Sequence, residues 1–471
     1  MVASTAIPQI IQGGMGVGIS DWRLARVVSQ RGQLGVVSGT AIDTVLVRRL
    51  QDGDPGGHMR RGMAAFPIPG AAADMERLYF LPEGRTPGAP YKLLPMDKQV
   101  ASTARQLVIV MAAFVEVYLA KEGHEGMVGM NLLTKIQSPT LAALYGAMLA
   151  GVDVILMGVG IPREIPAALD RLSEHQVATL RFEVEGLPSG REEHVRLDPA
   201  AFWPTTPPAL QRPQFLAIIA SNSLATVLAR KASGKVNGFV IEGPTAGGHN
   251  APPRGAPTFN EHGEPVYGTR DEVDLAKVAE LGLPFWLAGG TGRRGSLKQA
   301  REAGANGIQV GTLFAYADES GLADELKYGV LEHVKRDEVT VRTDSRASPT
   351  GFPFKVVTWP GEPGAGMERE RRCDLGVLRV PYFTPEGKIG FRCAAEPVDT
   401  YVKKGGRAED TEGRRCLCNG LMADIGLGQV RANDTVEPPL VTSGDDLVAL
   451  GDFLGARTHY SAEEVLDYLL A

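Results

Sequence analysis

Eight short apolar segments set the tightest limit on the fold of this chain. They start near residues 8, 34, 128, 152, 215, 238, 284 and 307, and helical intervals separate them. Asp21 to Gln30 shows the helical pattern clearly, with apolar residues at i, i+3 and i+4 behind Ser20 or Asp21 as N-cap and Gly32 as the stop. Further helices are expected over Ala41–Leu50, Asp97–Ala120, Thr140–Ala150, Ile165–Glu174, Ser223–Lys231, Asp271–Leu281 and Ser296–Ala303. Strands that alternate with helices run parallel, because each crossover must return the chain to the same edge. Eight such units predict an α/β protein with a (β/α)8 TIM barrel, and an open doubly wound sheet is the alternative.

The alternation covers residues 1–355, read as the barrel, and stops beyond about 356, so 356–471 is a C-terminal extension. Two stretches interrupt it. Residues 51–125 contain Asp52-Gly-Asp-Pro-Gly-Gly57, Phe66-Pro-Ile-Pro-Gly70 and a Pro/Gly-rich run to 90. Residues 178–212 are irregular and polar. An insertion as long as the first is usually a lid or a binding element. Charge excludes some partners. Lys and Arg total 49 against 55 Asp and Glu, a net charge of −6 without long like-charge runs, so nothing marks a nucleic-acid or anionic-membrane surface. No apolar run approaches the ~18 residues of a membrane span. The start, Met1-Val-Ala-Ser-Thr-Ala-Ile-Pro8, lacks the charged and apolar regions of a signal peptide, and a cytoplasmic location is the expectation.

Barrel enzymes react at the C-terminal ends of their strands. Here those ends read Gly13-Gly-Met-Gly16, Ser38-Gly-Thr40, Asn131-Leu-Leu133, Met157-Gly158, Glu242-Gly243, Ala288-Gly-Gly-Thr291 and Gln309-Val-Gly-Thr312. The last two follow strands seven and eight, the usual barrel phosphate site, where backbone N–H groups at a helix start attract an anion. A phosphate-bearing ligand is expected there. After strand six, Gly243-Pro-Thr-Ala-Gly-Gly-His-Asn250 is too rich in Gly and Pro to continue a strand, and it suits a loop pressed against a ligand. His249 at its tip is the natural proton carrier near neutrality. A lone histidine in a loop can also serve only as a backbone cap. Lys135, beyond Asn131, reads as a solvated lysine.

The order Gln-Gly-Gly-Met-Gly, Leu-Gly-Val-Val-Ser-Gly, Asn-Leu-Leu, Ala-Gly-Gly-His, Leu-Ala-Gly-Gly-Thr and Gly-Ala-Asn-Gly-Ile-Gln-Val-Gly-Thr-Leu-Phe, followed by Glu319-Ser320, resembles the nitronate monooxygenase family. FMN-dependent enoyl-acyl-carrier-protein reductases are similar. The resemblance covers about 1–355, including Thr350-Gly-Phe-Pro-Phe-Lys355. It implies an FMN-dependent oxidoreductase. Gly14, Met15 and Gly16 would face the flavin, Asn131 would hold it, and Gly247 and Gly248 would pack beside it. Gly289, Gly290, Gln309, Gly311 and Thr312 would bind the phosphate and ribityl chain. His249 would act as base or electrostatic partner. The family commonly has Gln and Glu where this chain has Glu242 and Thr245. A carboxylate at Glu242 would disfavour an anionic reduced flavin.

The implied reaction is oxidation of an alkyl nitronate by O2 to a carbonyl compound and nitrite, with a small-molecule substrate, O2 and a homo-oligomer as the expected partners. The alternative is reduction of an enoyl thioester with NAD(P)H as electron donor. A barrel that binds a phosphorylated ligand without redox chemistry is the third reading. All four cysteines, Cys373, Cys393, Cys416 and Cys418, fall in the extension. Outside an oxidising compartment such clustering favours metal or redox chemistry over disulfides. A zinc or iron–sulfur site there is set against simple reduced thiols, because Cys416 and Cys418 are spaced Cys-x-Cys and no histidine lies nearby.

Overall fold

The computed structural model describes residues 7–205, 207–365, 369–431 and 435–471. Residues 1–6, which carry most of the reading of the chain start, lie outside them. The expected strands form one parallel sheet: β1 Ile10–Gln12, β2 Gly35–Ser38, β3 Val128–Leu133, β4 Val154–Gly158, β5 Gln214–Ile219, β6 Gly238–Glu242, β7 Phe285–Ala288 and β8 Gly307–Val310. Strands pair in chain order from β2 to β8, and β8 returns to β1 with Gln309 opposite Ile11. The ring closes between β1 and β2, where Leu34 N–H donates to Ile10 O at 3.0 Å and Gln12 N–H donates to Leu34 O at 2.9 Å. The (β/α)8 barrel is therefore the fold, and the open sheet is not.

Both strand faces are apolar because both are buried. Ile11, Val36, Leu156, Leu216, Val240 and Trp286 fill the interior as one cluster. Their neighbours Ile10, Val37, Ile155, Phe215, Phe239 and Phe285 point outward under the helices. This is the period-two alternation of a barrel strand, inside then outside. Closure leaves no room at its seam. A Cβ on Gly307 would lie 1.8 Å from Gln9 O on the adjacent β1 segment. Gly307→Ala is expected to destabilise the fold by at least the ~1–3 kcal/mol of core overpacking, read as a lower urea midpoint.

Helix boundaries follow their caps. Helix Trp22–Gln30 starts where the Asp21 side chain accepts from the N–H groups of Arg23 and Leu24. The helix expected from Asp97 instead spans Thr103–Lys121. Ser102 caps it through Arg105 N–H at 3.2 Å, and Asp97 is drawn into an ion pair with Arg105 at 3.0 Å. By length and composition this helix could cross a membrane, but most of Ile109–Ala120 is buried against helices Trp22–Gln30, Ile42–Gln51, His58–Ala64 and Thr140–Leu149. Residues 51–125 thus build out the flank of the barrel. The helix expected over Asp271–Leu281 is shorter, Leu275–Ala279, with Asp274 as its cap.

After β8 the chain adds an antiparallel pair, Thr340–Asp344 with Phe354–Thr358, and then a hairpin, Val380–Phe383 with Ile389–Arg392. Helix Leu417–Asp424 and the loop 438–446 cross the C-terminal mouth of the barrel. The final helix, Ala462–Leu470, packs on helices Trp22–Gln30 and Ser296–Glu302 through Val465, Leu466 and Leu469. It fills the place in the outer ring between the last and first barrel helices.

Candidate functional site

One cavity opens at the C-terminal strand ends, with about 1590 Å3 of empty space including its mouth. That is space for a small-molecule ligand at the strand ends. Gly14, Met15 and Gly16 line it after β1, Asn131 on β3, and Glu242, Gly247, Gly248 and His249 at and after β6. Gly289 and Gly290 follow β7, and Gln309, Gly311 and Thr312 complete the wall at β8. The flavin-binding and catalytic candidates of the barrel thus face the same space. Lys135 does not, and its ammonium pairs with Glu183 at 3.1 Å on the surface. No residue of 51–125 lines the cavity, so that insertion is not its lid.

The walls are held in place by buried polar bonds. Gln12 Nε2 donates to Gly13 O at 2.5 Å and to Ser20 Oγ at 2.7 Å, while Met15 N–H donates to Ser20 Oγ at 2.9 Å. These fix the Gly13–Gly16 turn. Asn131 Nδ2 donates to Gly14 O at 2.9 Å, and a Cβ on Gly14 would fall 2.2 Å from Asn131 Cβ. Glycine is required there by close approach. Among the described residues, Asn131 Oδ1 and Gln309 Oε1 are buried with no hydrogen-bond partner. Buried polar atoms are seldom left unpaired, so such atoms on a cavity wall call for a polar ligand.

His249 is half-buried and packs edge-on against Phe354, with ring centroids 4.9 Å apart. Its Nε2 lies 2.7 Å from Ser348 Oγ, which is 2.7 Å from Thr350 Oγ1. Nδ1 is left for a ligand. Burial pushes the imidazole down to about 4, so it is neutral at pH 7. Burial pushes Glu242 the other way, up to about 7.

The extension supplies what the barrel motifs do not announce. Leu417, Cys418, Leu421, Asp424 and residues 441–444 with Asp446 roof the cavity. Thr442 Oγ1 accepts from Gly248 N–H at 2.9 Å, and a Cβ on Gly247 would meet Gly444 N at 2.8 Å. The glycines of the His249 loop thus make room for the roof as well as for a ligand. At the expected phosphate site Thr312 Oγ1 donates to Asp446 Oδ1 at 2.5 Å and accepts from Gly444 N–H at 3.2 Å. The Thr312 hydroxyl is therefore engaged by the chain itself. Asp446 is held above the ordinary carboxylate range by burial. The run Thr442-Ser-Gly-Asp-Asp446 was the available sequence signal, a hydroxyl and glycine turn ending in acids, but nothing in it points to a barrel mouth.

The four cysteines are free and meet at a small separate pocket. Burial pushes Cys373 up to about 11 and Cys393 up to about 12, and Cys416 and Cys418 share a hydrogen bond. Among the described residues no group of three or more His, Cys, Asp or Glu side chains could hold a metal ion. Cys393 and Cys416 are buried and Cys373 and Cys418 half-buried, all four as free thiols.

The residues fit FMN. The glycine-lined floor admits a flat ring at close range, and Asn131 and Gln309 present unpaired polar atoms to it.

Comparison with known proteins agrees with the family resemblance. Residues 200–350, from the approach to β5 through Ser348, match the model of the nitronate monooxygenase family. A probable nitronate monooxygenase of Staphylococcus saprophyticus is 29% identical over 153 residues, 32% of this chain and 37% of that protein. One of Staphylococcus haemolyticus is 32% identical over 114 residues, 24% of this chain and 30% of that protein. The chain thus spans about a third of the length of the curated relatives it matches. Among solved structures, FabK from Thermotoga maritima aligns over 98% of this chain and 91% of its own, at 15% identity and a TM-score of 0.48. Nitroalkane oxidase from Streptomyces ansochromogenes aligns over 98% and 94%, at 14% identity and a TM-score of 0.46.

Proposed function

We propose that this relative of the nitronate monooxygenase family is an FMN-dependent oxidoreductase that oxidises alkyl nitronates with O2 to carbonyl compounds and nitrite. One observation carries the reading. The residues matching the family motifs converge on a single cavity whose buried polar atoms, Asn131 Oδ1 and Gln309 Oε1, lack partners among the described residues. FMN bound there supplies electron transfer between substrate and O2.

The chain's own residues do the rest. Asn131 and Gln309 would hold the flavin ring and ribityl chain, and Gly14 would let the ring approach the backbone. Gly289, Gly290 and Gly311 would offer backbone to the phosphate, beside the Thr312–Asp446 pair. His249, neutral and fixed by Ser348, would direct Nδ1 to the substrate as a hydrogen-bonding group or proton acceptor. The roof of residues 417–446 would exclude bulk water from the reacting centre, which strengthens each of these contacts.

The test is an anaerobic absorbance spectrum of the purified protein with NAD(P)H and with an alkyl nitronate. A flavin spectrum that ignores NAD(P)H and changes on addition of nitronate is expected. Rapid bleaching by NAD(P)H would replace this reading with the enoyl-thioester reductase. A colourless protein without affinity for added FMN would leave the barrel that binds a phosphorylated ligand.

A further inference from the structure

A second cavity adjoins the first, with about 1010 Å3 of empty space including its mouth. The two share one stretch of wall made of Val159, Ile218, Glu242 and His249. Two of these are inert hydrocarbon, and Glu242 and His249 are the groups of this shared wall that can carry a proton. We propose that the second cavity is the substrate chamber and that Glu242 is a catalytic base there, removing the α-proton of a neutral nitroalkane to form the nitronate. This rests on the reading of the first cavity as the flavin site of a nitronate-oxidising enzyme, and it extends that reading to the conjugate acid of its substrate.

The chamber suits such a molecule. Ile161, Leu224, Pro244, Pro252 and Phe352 give it an apolar lining for an alkyl group. The acidic carbon would lie toward the shared wall, where the flavin cavity begins. Glu242 belongs to β6, a rigid barrel strand, and it forms no hydrogen bond or ion pair with any described residue. Asp271, also in the chamber, is occupied, since its oxygens accept from the N–H groups of Arg254 and Gly268 at 2.8 and 2.9 Å. Glu242 is the carboxylate left free for substrate.

In the step itself the C–H bond breaks and its electron pair moves into the nitro group. The proton goes to the Glu242 carboxylate and then to water through the chamber mouth. No oxidant enters until the nitronate has formed.

The two shared titratable groups differ in fitness for this task. A base works best when its conjugate acid titrates near the working pH. Burial alone brings Glu242 up to about 7, whereas it takes His249 down to about 4. The other titratable groups on the two walls do not pair with Glu242. Arg254, Tyr267 and Asp271 lie on the chamber side, Asp424 and Asp446 on the roof, Tyr316 is kept protonated by burial, and Cys418 by its hydrogen bond with Cys416 and by burial.

The experiment compares Glu242→Gln with the wild-type protein on a nitroalkane kept neutral and on its preformed nitronate. The wild type should use both, and its kcat/KM for the nitroalkane should rise with pH to a plateau, with a midpoint near 7. The variant should lose that limb, and its ratio of nitroalkane to nitronate turnover should fall by about 100-fold or more. Carbon-13 carboxyl NMR of the flavin-free protein adds a readout independent of turnover. One glutamate resonance should titrate near 7 and be missing from the variant. An unchanged ratio, or a Glu242 resonance titrating as an ordinary carboxylate, would overturn the assignment. Wild-type turnover of nitronate without turnover of nitroalkane would overturn it alone. A wild-type protein that turns over neither would bring down the nitronate reading as well.

Discussion

His249→Ala is expected to lower nitronate turnover by about 10²- to 10⁴-fold, the usual range for loss of a positioned proton-transfer or hydrogen-bonding group. Flavin should stay bound, because Asn131 and Gln309, which would hold it, lie on other strands. The loss should fall on kcat more than on cofactor affinity. Its cause is geometric. Phe354 packs on the ring edge and Ser348 holds Nε2, so the imidazole has one orientation and one free nitrogen. The ring titrates near 4, so its own contribution to the pH profile is confined to acid pH and is lost as the ring takes a proton. The check is steady-state kinetics alongside flavin absorbance for the two proteins. A variant that kept full turnover with a full complement of flavin would remove His249 from the mechanism.

Asp424→Asn is expected to stabilise the flavin-free protein strongly at neutral pH and not at acid pH. Asp424 is 2% exposed, with Oδ1 accepting from Leu440 N–H at 2.8 Å, and burial raises it from 3.8 to about 8. The sign follows from proton counting. Between pH 4 and pH 8 the folded state keeps a proton that the unfolded state releases, so stability falls as pH rises through that window. At pH 7 the gap of roughly three units between unfolded value and pH corresponds to about 4 kcal/mol. An asparagine keeps the acceptor for Leu440 and never ionises, so it escapes this penalty. Urea midpoints at pH 4 and pH 7 provide the check, with the gain from the substitution present at pH 7 and absent at pH 4. An equal gain at both would show that ionisation is not its source. A natural chain that retains so costly a group on the roof of its cavity holds it there against stability, as functional sites often do.

The barrel half of the site was legible because its signals are local. A segment such as Gly307-Ile-Gln-Val-Gly-Thr312 carries its strand, its turn and its polar residues within one short run. Parallel pairing then fixes which end of every strand shares a mouth, so Asn131, His249 and Gln309 had to face one another once the alternation was read correctly. The helix at 103–121 was legible in kind but not in its start, since Asp97 was diverted by Arg105.

That the extension could cap the mouth or form a subunit contact was open from the sequence, but which of its residues form the roof was not legible, nor were the ionisation states. Leu417, Asp424 and Asp446 lie more than a hundred residues from most of the groups they face, and no spacing rule connects a tail to a barrel mouth. The four cysteines illustrate the same limit from the other side: their clustering in sequence was plain, but whether four thiols converge on a metal depends on side-chain directions that only packing sets. Glu242 and His249 are ordinary titratable residues in the sequence. Their shifts in opposite directions come from desolvation, which depends on every atom packed around them. By itself, then, the sequence determined the eight alternating units and their reactive end, because periodicity and strand-end chemistry are properties of short segments, while closure of the ring needed the β1–β2 pairing of the folded chain. Only the tertiary structure decided what roofs the site and which of its acids and bases carry protons, because burial is a property of the whole molecule.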